Sequence, residues 1–168
     1  MVQHKYYVKA NRNDWHYPEG SHNPTDWENL PLGEEQDFAT FTRITQQWKS
    51  MRSGDIVIGH CSFQSVETKR GKKVVPQARI AAIGLVVDGP HYSNDLQTEA
   101  VTIKKVVGLK RPILLTAELI KKNNLEEAPP FKAGSNRCTI TRLNETEYER
   151  ILALIFQENP EAKKSIPQ

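Results

Sequence analysis

The sequence reads as one α+β domain in which a small mixed sheet, curled into a partial β-barrel, is flanked by helices. Three observations lead there. About five segments have strand composition, and helical periodicity is interleaved among them in irregular order. Neither the steady strand–helix alternation of a doubly wound sheet nor an internal repeat is present. The 168 residues, 38% hydrophobic and 26% charged, suit one ordinary globular domain on the polar side.

Residues 4–10 (HKYYVKA) combine aromatic and β-branched side chains and are bounded by a polar Asn-Arg-Asn-Asp cluster, which predicts a first strand. From Asp37 the apolar positions Phe38, Phe41, Ile44, Trp48 and Met51 recur at intervals of three and four. That spacing predicts a helix with one buried face and assigns Trp48 to the core. Gly54 suits the left-handed cap that ends such a helix, and residues 56–61 (IVIGHC) form a short buried strand. Residues 65–76, with the polar run ETKRGKK, read as a long flexible turn. The most apolar segment, residues 78–87 (ARIAAIGLVV), is the central strand, with Gly84 marking a bulge or a close backbone approach. The turn DGPHYSND ends it.

Residues 100–107 (AVTIKKVV) alternate as a further strand, which Arg111-Pro112 interrupts. Residues 116–122 (TAELIKK) carry Thr116 at the start and lysines at the end, the polarity of a short helix. In residues 137–143 (RCTITRL), Cys138, Ile140 and Arg142 alternate with Thr139, Thr141 and Leu143 as a last strand. Asn144 and Glu147 have capping-box spacing, and Tyr148, Ile151, Leu152 and Ile155 supply the stripe of a final helix. The domain therefore spans residues 1–158. Residues 159–168 (NPEAKKSIPQ) lack a stripe and read as a tail or linker.

No apolar run approaches the ~20 residues of a membrane span, and the N-terminus lacks a secretory pattern, so a cytoplasmic protein with no membrane partner is expected. Cys61 and Cys138 are too isolated for a disulfide framework or a zinc knuckle, and no cofactor or metal is expected. Net charge is only +3, but its distribution is uneven. Lys69, Arg70, Lys72 and Lys73 cluster in one turn, followed by Lys104-Lys105, Lys110-Arg111, Arg137 and Arg142, whereas acids gather at residues 34–37 and in the last helix. The pattern fits either one basic, phosphate-binding face or solvated loop tips.

The stretch 14–27, DWHYPEGSHNPTDW, has the composition of a loop yet holds two of the three tryptophans. Large aromatics in a loop either anchor it to the domain or grip a ligand, and both readings stand for Trp15, Tyr17 and Trp27. His16, His22 and His60 with neighbouring acids offer metal or acid–base chemistry as a rival. However, neither helical metal spacing nor a Ser/His/Asp or Lys/Glu constellation accompanies them.

"MRSGDIVIGHCS" at 51–62 resembles the Met-Lys-x-Gly-Asp-x-Val-x-x-Tyr-His-Ser segment of EVE domains, PUA-like relatives of YTH and ASCH domains. "IAAIGLVVDGPHYSND", "VVGLKRPILLTAELIKKNNLEEAPPF" and "RCTITRLNETEYERIL" resemble later segments of that family, in the family's order. Trp27-Glu28-Asn29 is similar to the start of its Trp-Asp/Glu-Gly-Val-Arg-Asn segment, but Gly-Val-Arg-Asn is absent. His60 stands where Tyr is common, and Ser62 keeps its place.

The resemblance implies a PUA-like fold that binds DNA or RNA and flips one modified base, often methylated, into an aromatic cage. It nominates Trp15, Tyr17 and Trp27 as cage walls, His60 and Ser62 for hydrogen bonds to the base edge, and Tyr92 from the next turn. Lys69, Arg70, Lys72 and Lys73 would hold phosphates. Stacking supplies ~1–3 kcal/mol per base, and a methyl in a dry cage ~0.8 kcal/mol more. No catalytic residue is implied. A nuclease or motor domain or subunit, as in modification-dependent restriction systems, is a further partner the resemblance implies. The alternative is a nucleoside-modifying hydrolase related to ASCH-type amidohydrolases.

Overall fold

The computed structural model describes residues 2–10, 26–40, 46–132 and 140–167. Six strands form one sheet: β1 (Lys5–Ala10), β2 (Glu35–Ala39), β3 (Ile56–Thr68), β4 (Gly71–Ser93), β5 (Thr98–Leu114) and β6 (Ile140–Leu143). Their order is β2-β5-β4-β3-β1-β6, with β1 parallel to β3 and the other pairs antiparallel. Helix α1 (Ala117–Lys122) follows β5, and α2 (Glu145–Glu158) follows β6.

Each sheet face buries its own cluster. On one, Tyr7, Ile58, Ile83 and Ile113 pack against Ile151 and Ile155 of α2. On the other, Tyr6, Val57, Val101 and Ile103 surround Trp27. That second cluster also holds Phe38 of β2 and Ile140 of β6, so the two opposite edge strands both contribute to one buried cluster. The sheet is therefore curled, and the architecture is an α+β partial barrel. Bulges between Gly59 and His60 and between Ile83 and Gly84 help the long strands bend. Among the described residues, no helix is long and apolar enough to cross a membrane.

Several sequence expectations hold in detail. Thr116 accepts a hydrogen bond from the Leu119 N–H, Asn144 and Glu147 form the reciprocal capping box, and Trp48 is buried. Gly84 is a close approach as well as a bulge, since a Cβ there would lie 2.7 Å from Ile103 Cγ2 and 3.1 Å from the Trp27 ring.

Other expectations are corrected. The helix from Asp37 is not formed there: Phe38 lies in β2, paired with Val101, and Trp48 sits in a 3₁₀ turn, Gln47–Ser50, while Phe41 and Ile44 lie outside the described residues. Cross-strand pairing and burial of Phe38 against Trp27 override a local period of three and four. The long turn expected at 65–76 is a paired hairpin closing at Lys69-Arg70. β4 runs on through DGPHYS to Ser93, and β5 passes through Pro112. Between Ile80 and Ala82 the register slips, so that residues 109–112 oppose Ala81 alone. Pro112 sits in that slack, where its missing N–H costs no ladder bond.

The stretch expected as a tail is also folded onto the domain. Asn159 is fully buried, and Pro160–Ser165 form a 3₁₀ turn with Ala162 in the core.

Candidate nucleic-acid interface

Where β1 and β3 run side by side, Lys9 lies opposite His60 and Ala10 opposite Cys61. His60 is buried at this end, beside a tilted Tyr7 ring whose edge also meets Phe131. The Tyr7 hydroxyl is 2.6 Å from His60 Nδ1, and His60 Nε2 is 3.0 Å from Ser62 Oγ. Burial pushes the imidazole pKa down to about 3, with the nearby charges of Lys9 and Arg79 adding to the effect. Burial likewise raises the Tyr7 pKa well above its ordinary value, so the phenol keeps its proton.

Tyr7 Oη, the neutral imidazole and Ser62 Oγ thus form one hydrogen-bonded chain in which one ring nitrogen of His60 donates and the other accepts. Ser62, half-buried, stands at the outer end of this chain. A histidine with a pKa of about 3 is a weak base near neutrality, so this Ser–His pair is poorly suited to activating a nucleophile.

Trp27 has no exposed surface, and its indole N–H donates to the Val8 carbonyl at 3.1 Å. It stacks on Phe38, and the Gly59 backbone lies so close that a Cβ there would sit 2.5 Å from the indole. Trp27 is thus the loop's anchor and no wall of an open cage, a correction that follows from its burial in the barrel interior. Trp15, Tyr17, His16 and His22 lie outside the described residues. Tyr92 is 63% exposed but pairs with Glu99 toward the far end of β4 from the basic hairpin, beyond Ile80, the partner of His60. The structure groups it with His91 and Glu99, not with His60 and Ser62. Lys69, Arg70, Lys72 and Lys73 are all exposed, at and beside the turn of the β3–β4 hairpin.

Three polar residues that sequence reasoning did not single out hold the loop after Trp27. Arg79 Nε and Nη2 grip the two carboxylate oxygens of Glu28, Nη2 at 3.0 Å, while Nη1 donates to the Gln77 carbonyl at 2.9 Å. The Glu28 hydrogen bond raises the Arg79 pKa further, against the opposing effect of desolvation. Lys105 is buried with its Nζ donating to the carbonyls of Trp27 at 2.6 Å and Leu30 at 2.9 Å, and desolvation lowers its pKa. Glu28, Arg79 and Lys105, with Lys110 and Pro112, border a cleft of about 520 Å³. The signal for these residues was three-dimensional: nothing local distinguishes buried Lys105 from half-exposed Lys104.

Curled sheet and flanking helices make an α+β partial barrel, and solved structures share this fold. A hypothetical protein from Leishmania major is similar over 94% of this chain and 98% of that chain, with 15% identity and a TM-score of 0.66. The human THYN1 protein in complex with 5-methylcytosine-containing DNA is similar over 91% of this chain and 98% of that chain, at 16% identity and a TM-score of 0.58. The DUF55 domain of human thymocyte nuclear protein 1 covers 90% and is itself covered over 98%, at 16% identity and a TM-score of 0.59. No family model and no curated protein matches the chain. At these identities the likeness establishes the fold.

Proposed function

We propose that the protein is an EVE-type, non-catalytic reader that binds nucleic acid and takes one modified base into a pocket beside His60 and Ser62. The observation that carries this reading is the buried Tyr7–His60–Ser62 hydrogen-bonded chain at the end of β1, in a fold shared with human THYN1, which is seen in complex with 5-methylcytosine-containing DNA. Ser62 offers its hydroxyl to the base edge, and Trp15 and Tyr17 of the loop stack on the base faces. Lys69, Arg70, Lys72 and Lys73 hold the phosphate backbone, giving affinity that falls with salt. The low basicity of His60 favours recognition over hydrolysis.

A panel of duplexes and single strands carrying 5-methylcytosine, 5-hydroxymethylcytosine, N6-methyladenine or no modification tests the reading. One modification is expected to bind on the order of tenfold more tightly than its unmodified counterpart, a gap of ~1.4 kcal/mol. Ser62→Ala and Trp15→Ala should each narrow that gap. Equal binding of every oligonucleotide at low salt overturns the reader. Release of an altered nucleoside, abolished by His60→Ala, would replace it with the hydrolase.

A further inference from the structure

The β3–β4 hairpin is more than a basic loop. From Phe63 to Pro76 its strands pair, among the described residues, only with each other, Phe63 opposite Pro76 and Thr68 opposite Gly71. Successive side chains of a strand point to opposite faces, yet residues 67–73 are exposed throughout, so neither face of the outer hairpin is covered by the described residues. Gly71, with φ +108°, takes the left-handed position that suits the residue after so tight a turn. A free two-stranded hairpin is marginal in water, so an arm of this kind gains order from a partner.

Its charge and shape point to that partner. Lys69, Arg70, Lys72 and Lys73 face a single carboxylate, Glu67, which lies opposite Lys72. Lys72 and Lys73 are neighbours in β4 and so project from opposite faces of the ribbon, while Lys69 and Arg70 form its tip. Six residues per strand at ~3.4 Å each make an arm of about 20 Å, which springs directly from Ser62. The B-form major groove, ~12 Å wide and ~8.5 Å deep, admits a two-stranded ribbon, and its two walls are phosphate backbones. The major groove of A-form RNA is too deep and narrow for side chains to read.

We infer that this hairpin is a β-ribbon arm that enters the major groove of double-stranded DNA, its two faces contacting the two phosphate walls while the neighbouring relay meets the flipped base. The inference rests on the nucleic-acid-binding reading above and names the duplex as its substrate. The arm makes the protein a reader of double-stranded DNA in preference to single strands or duplex RNA.

The test compares the full chain with a variant carrying Lys69→Gln, Arg70→Gln, Lys72→Gln and Lys73→Gln, with a Lys69→Gln, Arg70→Gln pair as the milder check. Thermal unfolding confirms that each is folded. On the modified duplex the fourfold variant should lose at least about tenfold in affinity, and its log–log salt slope should fall by about 3.6, at ~0.9 per phosphate contact. Binding to the modified single strand should change less than twofold, and protection of guanine N7 from methylation in the major groove should disappear. Equal losses on duplex and single strand, no N7 protection by the unaltered protein, or equally tight binding of duplex RNA would overturn the arm. Ribbon-dependent duplex binding without any preference for modified bases would support the arm and remove the base reader.

Discussion

The Trp27 indole lies stacked on the Phe38 ring, with centroids 4.7 Å apart and planes 19° from parallel. This contact joins the aromatic loop to edge strand β2 inside the barrel, and Gly59 leaves the room for it. Trp27→Ala should cost ~3–5 kcal/mol in urea unfolding, as expected for emptying a buried aromatic site. Gly59→Ala, whose Cβ would have to displace the indole, should cost ~1–3 kcal/mol. A loss below ~1 kcal/mol for the tryptophan variant would contradict the anchoring role.

His60 makes stability depend on pH in a defined direction. Its folded pKa of about 3 lies below the ordinary 6.5, so below pH 6.5 the unfolded chain takes up a proton that the folded one refuses. The stability associated with the neutral imidazole is thus present above pH 6.5 and lost as pH falls. From pH 6.5 to 5 the loss should reach roughly 1–2 kcal/mol. His60→Gln, compared with the parent by denaturant titration, should flatten this slope. An unchanged slope would mean that His60 is protonated in the fold.

His91 should tilt stability the other way. The Gly89 carbonyl, and then the carboxylates of Asp37 and Asp88, raise its pKa. Its contribution is fully present below pH 6.5 and is lost as pH rises through the elevated value. His91→Gln should therefore destabilise by up to ~1 kcal/mol at pH 5.5 and by less at pH 8.5, and the reverse order would refute the assignment.

Features with a local cause were legible in the sequence. Thr116, Asn144 and Glu147 act on backbone groups within their own turn, and Gly84 announced a close approach by lacking a side chain. The misread features depend on partners remote in sequence. Phe38 is a strand residue because β5 and Trp27 receive it, and Pro112 stays in β5 because the register slips opposite Ala81. At the site, His60 and Ser62 were visible through their motif, but their hydrogen-bonded chain also includes Tyr7, which contributes from another strand. Trp27 looked like a ligand wall only until Gly59 and Phe38 were seen against it.

The Glu28–Arg79 pair should be strongly coupled. Arg79 is nearly buried while Glu28 is partly exposed, with side-chain exposures of 6% and 38%. Removing the carboxylate leaves a guanidinium with much of its water gone. Glu28→Gln should cost ~1.5–3 kcal/mol, and a double-mutant cycle with Arg79→Met should show a coupling above ~0.5 kcal/mol. Additive effects would mean that the two side chains act separately.

Asn159 ties the end of α2 to β5. Its Oδ1 accepts from the Arg111 N–H at 2.9 Å, and its Nδ2 donates to the Arg111 carbonyl at 2.9 Å, so one amide satisfies both polar groups of an irregular β5 residue. The side chain stands just past α2 and is fully buried, which ties the helix end to the strand that carries Pro112. Asn159→Ala removes both bonds and leaves the part-buried backbone groups of Arg111 without them, so it should cost ~1–3 kcal/mol and speed amide exchange at Arg111. Asn159→Asp can still accept from the N–H but cannot donate to the carbonyl, and it buries a charge. It should be no milder than the alanine variant. If aspartate restored most of the lost stability, the donor half of the amide would be dispensable, and the tie between α2 and β5 would rest on packing alone.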